Sequence, residues 1–132
     1  MAYMLDTNIC IYFLNRSSKK IISKMKSLSP SDIKISTITV AELYFGAEKS
    51  KAKKKNLMIV QRFIENFEII PFDEKCCQNY AKIRASLANS GTPIGPMDLL
   101  IASIALAHGF ILVTNNVKEF KRIKGLSIEN WM

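Results

Sequence analysis

The segment MAYML, residues 1–5, followed by Asp6 and the segment TNICIYFL, residues 7–14, decides the fold. Residues 1–5 form an apolar run that is too short for a helix, which predicts a strand buried on both faces. Thr7 and Asn8 are residue types that begin helices, and an apolar helical stretch follows them. Asp6 therefore falls at the carboxyl end of a buried strand, where open α/β sheets bind ligands.

The same arrangement recurs at residues 33–44. IKIS, residues 33–36, predicts a second strand, and TITVAELY, residues 37–44, predicts a helix that carries Glu42. Thr39 and Glu42 have the spacing of a capping box, so a purely local role is one interpretation of Glu42. The apolar surroundings favour the other interpretation, in which Glu42 is a ligand residue in the protein interior.

A third carboxylate begins a strongly apolar helix. Pro96 suits the first helical turn, and Asp98 lies close to the positive end of the helix dipole. Residues 99–107 contain one hydroxyl and no charge, which predicts a helix buried nearly all round. A carboxylate at the entrance of such a helix is expected to be paired or metal-bound.

The fourth region is the strand FILVT, residues 110–114, followed by a turn at Asn115 and Asn116. Glu119 comes three residues after the turn. Any of these three side chains can reach back to the same cleft, and the spacing does not rank them.

Strands and helices alternate along the whole chain. Further elements are predicted as a strand at residues 68–71, helices at 73–90 and 96–108, and a short strand at 126–128. This order favours an α/β fold, with a parallel sheet flanked by helices in right-handed crossovers. The length of 132 residues fits one domain spanning residues 1–132.

Carboxylates beside apolar strands are costly to bury unless a cation compensates them. Asp6, Glu42, Asp98 and Glu119 therefore predict a metal site. Magnesium prefers oxygen ligands and keeps several waters, so a few carboxylates suffice to hold it. Such an ion also supplies what phosphodiester hydrolysis needs, because it activates water and neutralises charge on phosphate oxygens.

Other catalytic chemistries lack the residues that they require. His108 is the sole histidine and ends an apolar helix, which predicts a surface or C-terminal capping role. Cys10, Cys76 and Cys77 lack paired zinc spacing and point to a reducing cytoplasm. Neither a glycine-rich phosphate loop nor a dinucleotide motif is present, so no nucleotide cofactor is expected. No cleavable signal and no membrane span are expected either.

Charge is the second indication of a polyanionic partner. The formal net charge is +8, from 19 basic and 11 acidic residues. Such a surface attracts nucleic acid and predicts binding that weakens steeply with salt. A merely solvated surface is the alternative. The predicted phosphate contacts come from two lysine groups: Lys19 and Lys20, and Lys51, Lys53, Lys54 and Lys55.

Four motifs occur in order along the chain: MLDTN (residues 4–8), TVAEL (39–43) with Gly46, GPMDLLIA (95–102), and LVTNN (112–116) with Glu119 and Phe120. Together they resemble the PIN-domain ribonucleases, and most closely the VapC toxins of bacterial toxin–antitoxin pairs. The resemblance covers the whole chain, including the ending GLSIENW, residues 125–131.

This resemblance implies a three-layer α/β/α fold with a central, mainly parallel sheet. It also implies a homodimeric endoribonuclease that depends on Mg²⁺, with Mn²⁺ as a substitute, and it suggests transfer RNA as substrate. A VapB-type antitoxin is expected to block the site, and operator DNA is expected to bind only through the antitoxin complex.

Carried over by position, the resemblance implies Asp6, Glu42 and Asp98 as catalytic metal ligands. Many PIN domains have an aspartate where this chain has Asn116, so either Asn116 or Glu119 is expected to fill the fourth position. Neutral side chains are expected to orient the carboxylates or water: Thr7, Asn8, Ser36, Thr114 and Asn115.

Two other interpretations remain open from the sequence. One is a non-catalytic regulatory α/β module, similar to a response-regulator receiver, that binds magnesium or nucleic acid. Receivers need a late-strand lysine and paired acids at the first strand, and neither is evident here. The other is a nuclease that cuts DNA flaps with the same metal site.

Overall fold

Five strands form the centre of the computed structural model, which describes all 132 residues. The strands are β1 (Tyr3–Leu5), β2 (Ile33–Ser36), β3 (Glu68–Ile70), β4 (Ile111–Val113) and β5 (Ile128–Glu129). They lie in the order β3-β2-β1-β4-β5, and every neighbouring pair is parallel. The predicted α/β fold with a mainly parallel sheet is confirmed, and the sheet proves parallel throughout.

Seven helices connect and cover the strands. They are α1 (Thr7–Leu14), α2 (Lys19–Ser27), α3 (Thr37–Glu48), α4 (Lys53–Ile64), α5 (Glu74–Asn89), α6 (Pro96–His108) and α7 (Val117–Phe120). A single 3₁₀ turn, Pro30–Asp32, precedes β2. The bounds of α6 agree with the sequence prediction, whereas α2 and the short α7 were not predicted. None of these helices combines the length and the apolar character needed to cross a membrane.

The sheet separates two hydrophobic cores, because successive side chains of a strand point to opposite faces. Met4 and Leu112 pack on one face with residues of α5 and α6, and Phe120 of α7 joins them. Leu5 and Val113 pack on the other face with residues of α1, α2, α3 and α4. The expected three layers are therefore present, and both faces of the central strands are buried.

Strand register brings three strand ends to one edge of the sheet. Leu5 lies opposite Ile35 on one side and opposite Val113 on the other. The chain continues this alignment past the strand, because the amide of Asp6 donates to the carbonyl of Val113 at 3.0 Å. Residues that follow β1, β2 and β4 therefore meet at the carboxyl edge, as the sequence pattern predicts.

The start of α3 differs from the sequence interpretation. The capping residue is Ser36, whose side-chain oxygen accepts from the amide of Thr39 at 3.1 Å. Thr39 lies inside the helix and is fully buried. Thr39 is therefore not the N-cap, and Glu42 is not the third helical residue that a capping box requires. The capping-box interpretation of Thr39 and Glu42 is therefore wrong, and a local capping role does not explain why Glu42 lies among buried residues.

Candidate metal centre

Asp6 occupies the junction between β1 and α1 and is only 4% exposed. It caps α1, because its Oδ1 accepts from the amide of Ile9 at 2.9 Å. Burial raises the pKa of this carboxyl from 3.8 to about 6, although hydrogen bonds from Thr114 and Ile9 act in the opposite direction. The nearby carboxylates of Asp98 and Glu42 raise the pKa further. Asp6 is thus a buried acid with excess negative charge around it.

A chain of hydroxyl groups holds Glu42 beside this acid. Thr7 Oγ1 donates to Glu42 Oε1 at 2.6 Å and lies 3.1 Å from Thr39 Oγ1. Ser36 Oγ donates to Thr39 Oγ1 at 3.4 Å, so the chain reaches the end of β2. The predicted helpers Thr7 and Ser36 therefore lie in the cleft. Thr39 was not predicted as a member of this chain of hydroxyls, because its spacing to Glu42 indicated only a capping role.

Asp98, Asn116 and Glu119 form the opposite wall of the cleft. The side-chain amide of Asn116 lies 3.4 Å from Asp98 Oδ2 and 3.0 Å from Glu119 Oε2. Its backbone amide donates to Thr114 Oγ1 at 2.9 Å, which fixes the loop after β4. Burial raises the pKa of Asp98, and the negative charges of Glu119 and Glu42 add to this effect. Asn116 therefore bridges two carboxylates that repel each other.

The four predicted acids share one electrostatic environment, since Asp98 and Glu42 raise the pKa of Asp6, and Glu119 and Glu42 raise the pKa of Asp98. They are not tightly packed, however. No three of their carboxylates bring oxygens within 4.8 Å of one another. An open set of oxygen donors with uncompensated charge fits a hard divalent cation that retains several waters, and it does not fit a closed tetrahedral zinc site.

Two predicted helpers make no side-chain hydrogen bond to the acids of this cleft. Asn8 is exposed on the first turn of α1. Asn115 is also exposed, and its side-chain oxygen accepts from Asn130 at 3.2 Å. Of the three alternatives for the fourth position, only Asn116 and Glu119 therefore contact the acid wall. Both lie there together, so the structure does not select one over the other.

The predicted phosphate contacts are exposed in two regions, at the starts of α2 and α4. Lys19 and Lys20 begin α2, and Lys51 precedes α4. Lys53 pairs with Glu48 at 2.9 Å, whereas Lys54 and Lys55 line a shallow hollow with Arg62. A solvent-exposed ion pair such as Lys53–Glu48 contributes little stability, so its lysine stays available to an anionic partner.

A compact group of ligand-type side chains lies elsewhere, where sequence spacing gave no signal. Asp73, Cys76 and His108 bring one carboxylate oxygen, one sulfur and one ring nitrogen within 4.8 Å of one another. His108 is exposed at the end of α6, as predicted, but Gly109 in a left-handed conformation ends the helix. Asp98 and His108 lie ten residues apart on α6, about 15 Å along its axis.

Comparison with known proteins agrees with the motifs and the geometry. The PIN domain family model matches residues 3–126. Ribonuclease VapC2 of Rickettsia felis is 46% identical over 132 residues, covering 99% of this chain and 98% of that protein. The tRNA(fMet)-specific endonuclease VapC of Salmonella typhimurium is 43% identical over 131 residues, covering 99% of this chain and 98% of that protein.

Solved structures give the same result. A chain in the crystal structure of VapBC2 from Rickettsia felis, bound to a promoter DNA fragment, superposes with a TM-score of 0.93 at 45% identity, covering 100% of both chains. A chain of DNA-bound VapBC from Salmonella typhimurium superposes with a TM-score of 0.94 at 41% identity, covering 100% of this chain and 99% of that one. The chain therefore belongs to the PIN-domain family and, within it, to the VapC ribonucleases.

Proposed function

We propose that this protein is a metal-dependent endoribonuclease toxin that uses Mg²⁺, with Mn²⁺ as a substitute, and that residues 1–132 form its single catalytic domain. The burial of Asp6 among other carboxylates is the observation that carries this proposal. Burial raises the pKa of Asp6 to about 6, and the negative charges of Asp98 and Glu42 add to this effect. A divalent cation compensates such charge and is the common cofactor for phosphodiester hydrolysis with oxygen ligands.

Asp6, Glu42 and Asp98 are the proposed metal ligands, and Glu119 with Asn116 completes the shell. When bound, the cation would activate water and neutralise charge developing on the phosphate. Thr7 orients Glu42 by holding Oε1, which leaves Oε2 free to bind. Asn116 keeps Asp98 and Glu119 at one wall in spite of their mutual repulsion. Ile9 and Thr114 orient Asp6 by donating hydrogen bonds to it.

RNA is the proposed substrate, and transfer RNA is the proposed class, because the Salmonella typhimurium relative is a tRNA(fMet)-specific endonuclease. Positive charge supports a polyanionic substrate. If the four cleft acids are set aside, seven acidic residues remain against 19 basic ones. The exposed lysines of α2 and α4 are the proposed phosphate contacts, which position a nucleic acid without reading its sequence.

A small antitoxin of the VapB type is the proposed partner, because both superposed structures are named as VapBC complexes. An apolar groove beside Glu42 supports a protein partner. It runs between α1, α3 and α4 and is lined by Ile11, Leu14 and Ile59 among others. Phe45, 64% exposed, offers further apolar surface on α3.

Three further properties belong to the same proposal. The protein is expected to be a homodimer, to reach operator DNA only through the antitoxin complex, and to act in the cytoplasm. Its three free cysteines are consistent with a reducing compartment.

Cleavage of RNA with Mn²⁺ or Mg²⁺ tests the proposed activity. Asp98→Asn and Asp6→Asn each keep the shape of the side chain but remove a ligand charge. We expect each to lower kcat/KM at least about 100-fold, the scale of losing one electrostatic contact to the reacting group. Asp32→Asn, in the 3₁₀ turn outside the cleft, is the matched control and should cleave like the unmodified protein.

Equal cleavage by Asp98→Asn and the unmodified protein would refute the site. A chain that accepts phosphate from a small phosphodonor and leaves RNA intact would instead be a receiver-like module. Cleavage of branched DNA in preference to RNA would identify a flap nuclease.

A further inference from the structure

The compact group outside the cleft has the donors of a transition-metal site. Asp73 is the N-cap of α5, and Cys76 lies three residues later in the first turn of that helix. His108 is the last residue of α6. The three ligand atoms lie within 4.8 Å of one another, and this is the only group of three such residues in the chain that does so.

Local contacts bring the three side chains close to one another. Asp73 Oδ1 accepts from the amide of Cys76 at 3.1 Å, which fixes the start of α5. The Cys76 thiol is fully buried and donates to the carbonyl of Pro71 at 3.8 Å. The ring of His108 stacks on Phe110, with ring centroids 5.1 Å apart and planes 8° apart. The donors therefore lie at the ends of two packed helices, where Cys76 is fixed by burial and the exposed side chains of Asp73 and His108 keep rotational freedom.

These donor types favour a cation of intermediate hardness, such as zinc. Zinc takes thiolate sulfur, imidazole nitrogen and carboxylate oxygen at about 2.0–2.3 Å, which places tetrahedral ligand atoms about 3.3–3.8 Å apart. The side chains of Asp73 and His108 are exposed, so both can rotate to close the remaining gap. Magnesium does not suit sulfur and nitrogen donors, so this group and the carboxylate cleft select different ions.

The end of α6 favours a cation, whereas the Cys76 thiol must lose its proton to bind one. Burial raises the pKa of the Cys76 thiol, and the negative charge of Asp73 adds to this effect until a cation binds. The last carbonyls of α6 carry partial negative charge beside His108, which favours a cation there. As sulfur binds the metal, the thiol proton passes to solvent.

We propose that Asp73, Cys76 and His108 form a second metal site, which binds one Zn²⁺ with water in the fourth position. The site joins the start of α5 to the end of α6. It is separate from the carboxylate cleft, since α6 carries Asp98 near its other end, about 15 Å away. Binding stabilises the packing of this helix pair, because a ligand selective for the native state always does.

Metal binding to the full-length protein, first stripped with a chelator, tests the proposal. Titration with Zn²⁺ against a chromophoric chelator, in excess Mg²⁺ to occupy the carboxylate cleft, should give one saturable Zn²⁺ site per chain. Co²⁺ should give the ultraviolet absorption of a thiolate-to-metal charge transfer, which a carboxylate site cannot produce. His108→Gln alters an exposed side chain and should weaken Zn²⁺ binding at least about tenfold while the protein stays folded.

Three further variants make the outcome decisive. Cys76→Ser should abolish the charge-transfer absorption, whereas Cys77→Ser changes the neighbouring exposed cysteine and should leave it intact. Asp98→Asn should bind Zn²⁺ as the unmodified protein does. The proposal fails if Zn²⁺ binding does not saturate, if His108→Gln and Cys76→Ser both bind normally, or if Asp98→Asn or Cys77→Ser removes the site.

Discussion

Asp6 and Asp73 perform the same local task in two different regions. Each is the N-cap of a helix, and each accepts a hydrogen bond from the amide three residues later, at 2.9 Å and 3.1 Å respectively. Their pKa values nevertheless move in opposite directions. Burial raises the pKa of Asp6 to about 6. Hydrogen bonds from the backbone amide and the side chain of Cys76 lower the pKa of the exposed Asp73, and His108 adds to this.

The difference shows that a capping motif does not determine the charge of its carboxylate. Asp6 loses water and faces Asp98 and Glu42, so its negative charge is disfavoured until a cation arrives. Asp73 keeps water and lies near a histidine, so its negative charge is favoured without a metal. Of the two aspartates, only Asp6 therefore carries an unfavourable charge that cation binding can relieve.

Removing the charge of Asp6 should produce the largest change in stability. Its folded-state pKa exceeds the unfolded value of 3.8, so the native state binds more protons between about pH 4 and pH 6. The free energy of unfolding should consequently fall as the pH rises through this window. Asp6→Asn retains a capping oxygen and should stabilise the metal-free protein by up to about 3 kcal/mol at pH 7.5, and by almost nothing at pH 3.5.

Urea unfolding at the two pH values, in the presence of a chelator, measures this effect. Asp73→Asn is the matched control and should show no gain at pH 7.5. The lowered pKa of Asp73 means that its charge contributes stability above its unfolded pKa and loses that contribution as the pH falls. Equal gains from both variants would mean that burial does not distinguish the two aspartates.

The hydroxyl chain that orients Glu42 should matter next most. Thr7→Val removes the donor at 2.6 Å from Glu42 Oε1 and preserves the branched shape of the side chain. Loss of a residue that orients a metal ligand costs about 10-fold to 100-fold in activity or metal affinity. We expect kcat/KM to fall at least about 10-fold and the Mg²⁺ concentration at half-maximal activity to rise.

Thr92→Val changes an exposed threonine on the loop between α5 and α6, and it should leave both quantities unchanged. If Thr7→Val retained full activity at limiting Mg²⁺, the hydroxyl chain would have only a packing role.

The contacts of Thr7 also show which parts of the site could be predicted from the sequence. Short apolar runs and residues that start helices located β1, Asp6 and Asp98, because these signals are local. The contact between Thr7 and Thr39 joins residues from different strand–helix junctions, which no local pattern encodes. The same reason explains why the grouping of Cys76 with His108 was missed. The ends of two packed helices bring them together across 32 residues of sequence.

Magnesium should stabilise the protein only through the carboxylate cleft. At a concentration ten times its dissociation constant, a ligand that binds only the native state adds about 1.4 kcal/mol to the free energy of unfolding. Addition of Mg²⁺ should therefore raise the Tm of the unmodified protein and of Asp73→Asn. It should not raise the Tm of Asp6→Asn, which scanning calorimetry can measure. A rise of the same size in Asp6→Asn would place the ion elsewhere.

The lysines should give the smallest effect, because each contributes one screened contact. The double variant Lys54→Ala/Lys55→Ala removes two exposed charges from α4. RNA affinity at low salt should fall several-fold, and the slope of log affinity against log salt should become shallower by about 0.7 per lost phosphate contact. Lys82→Ala/Lys124→Ala is the matched control, because it removes two exposed charges from the side of the molecule near α5. If both double variants changed the slope equally, RNA would be attracted by net charge alone, and α4 would not be a specific contact surface.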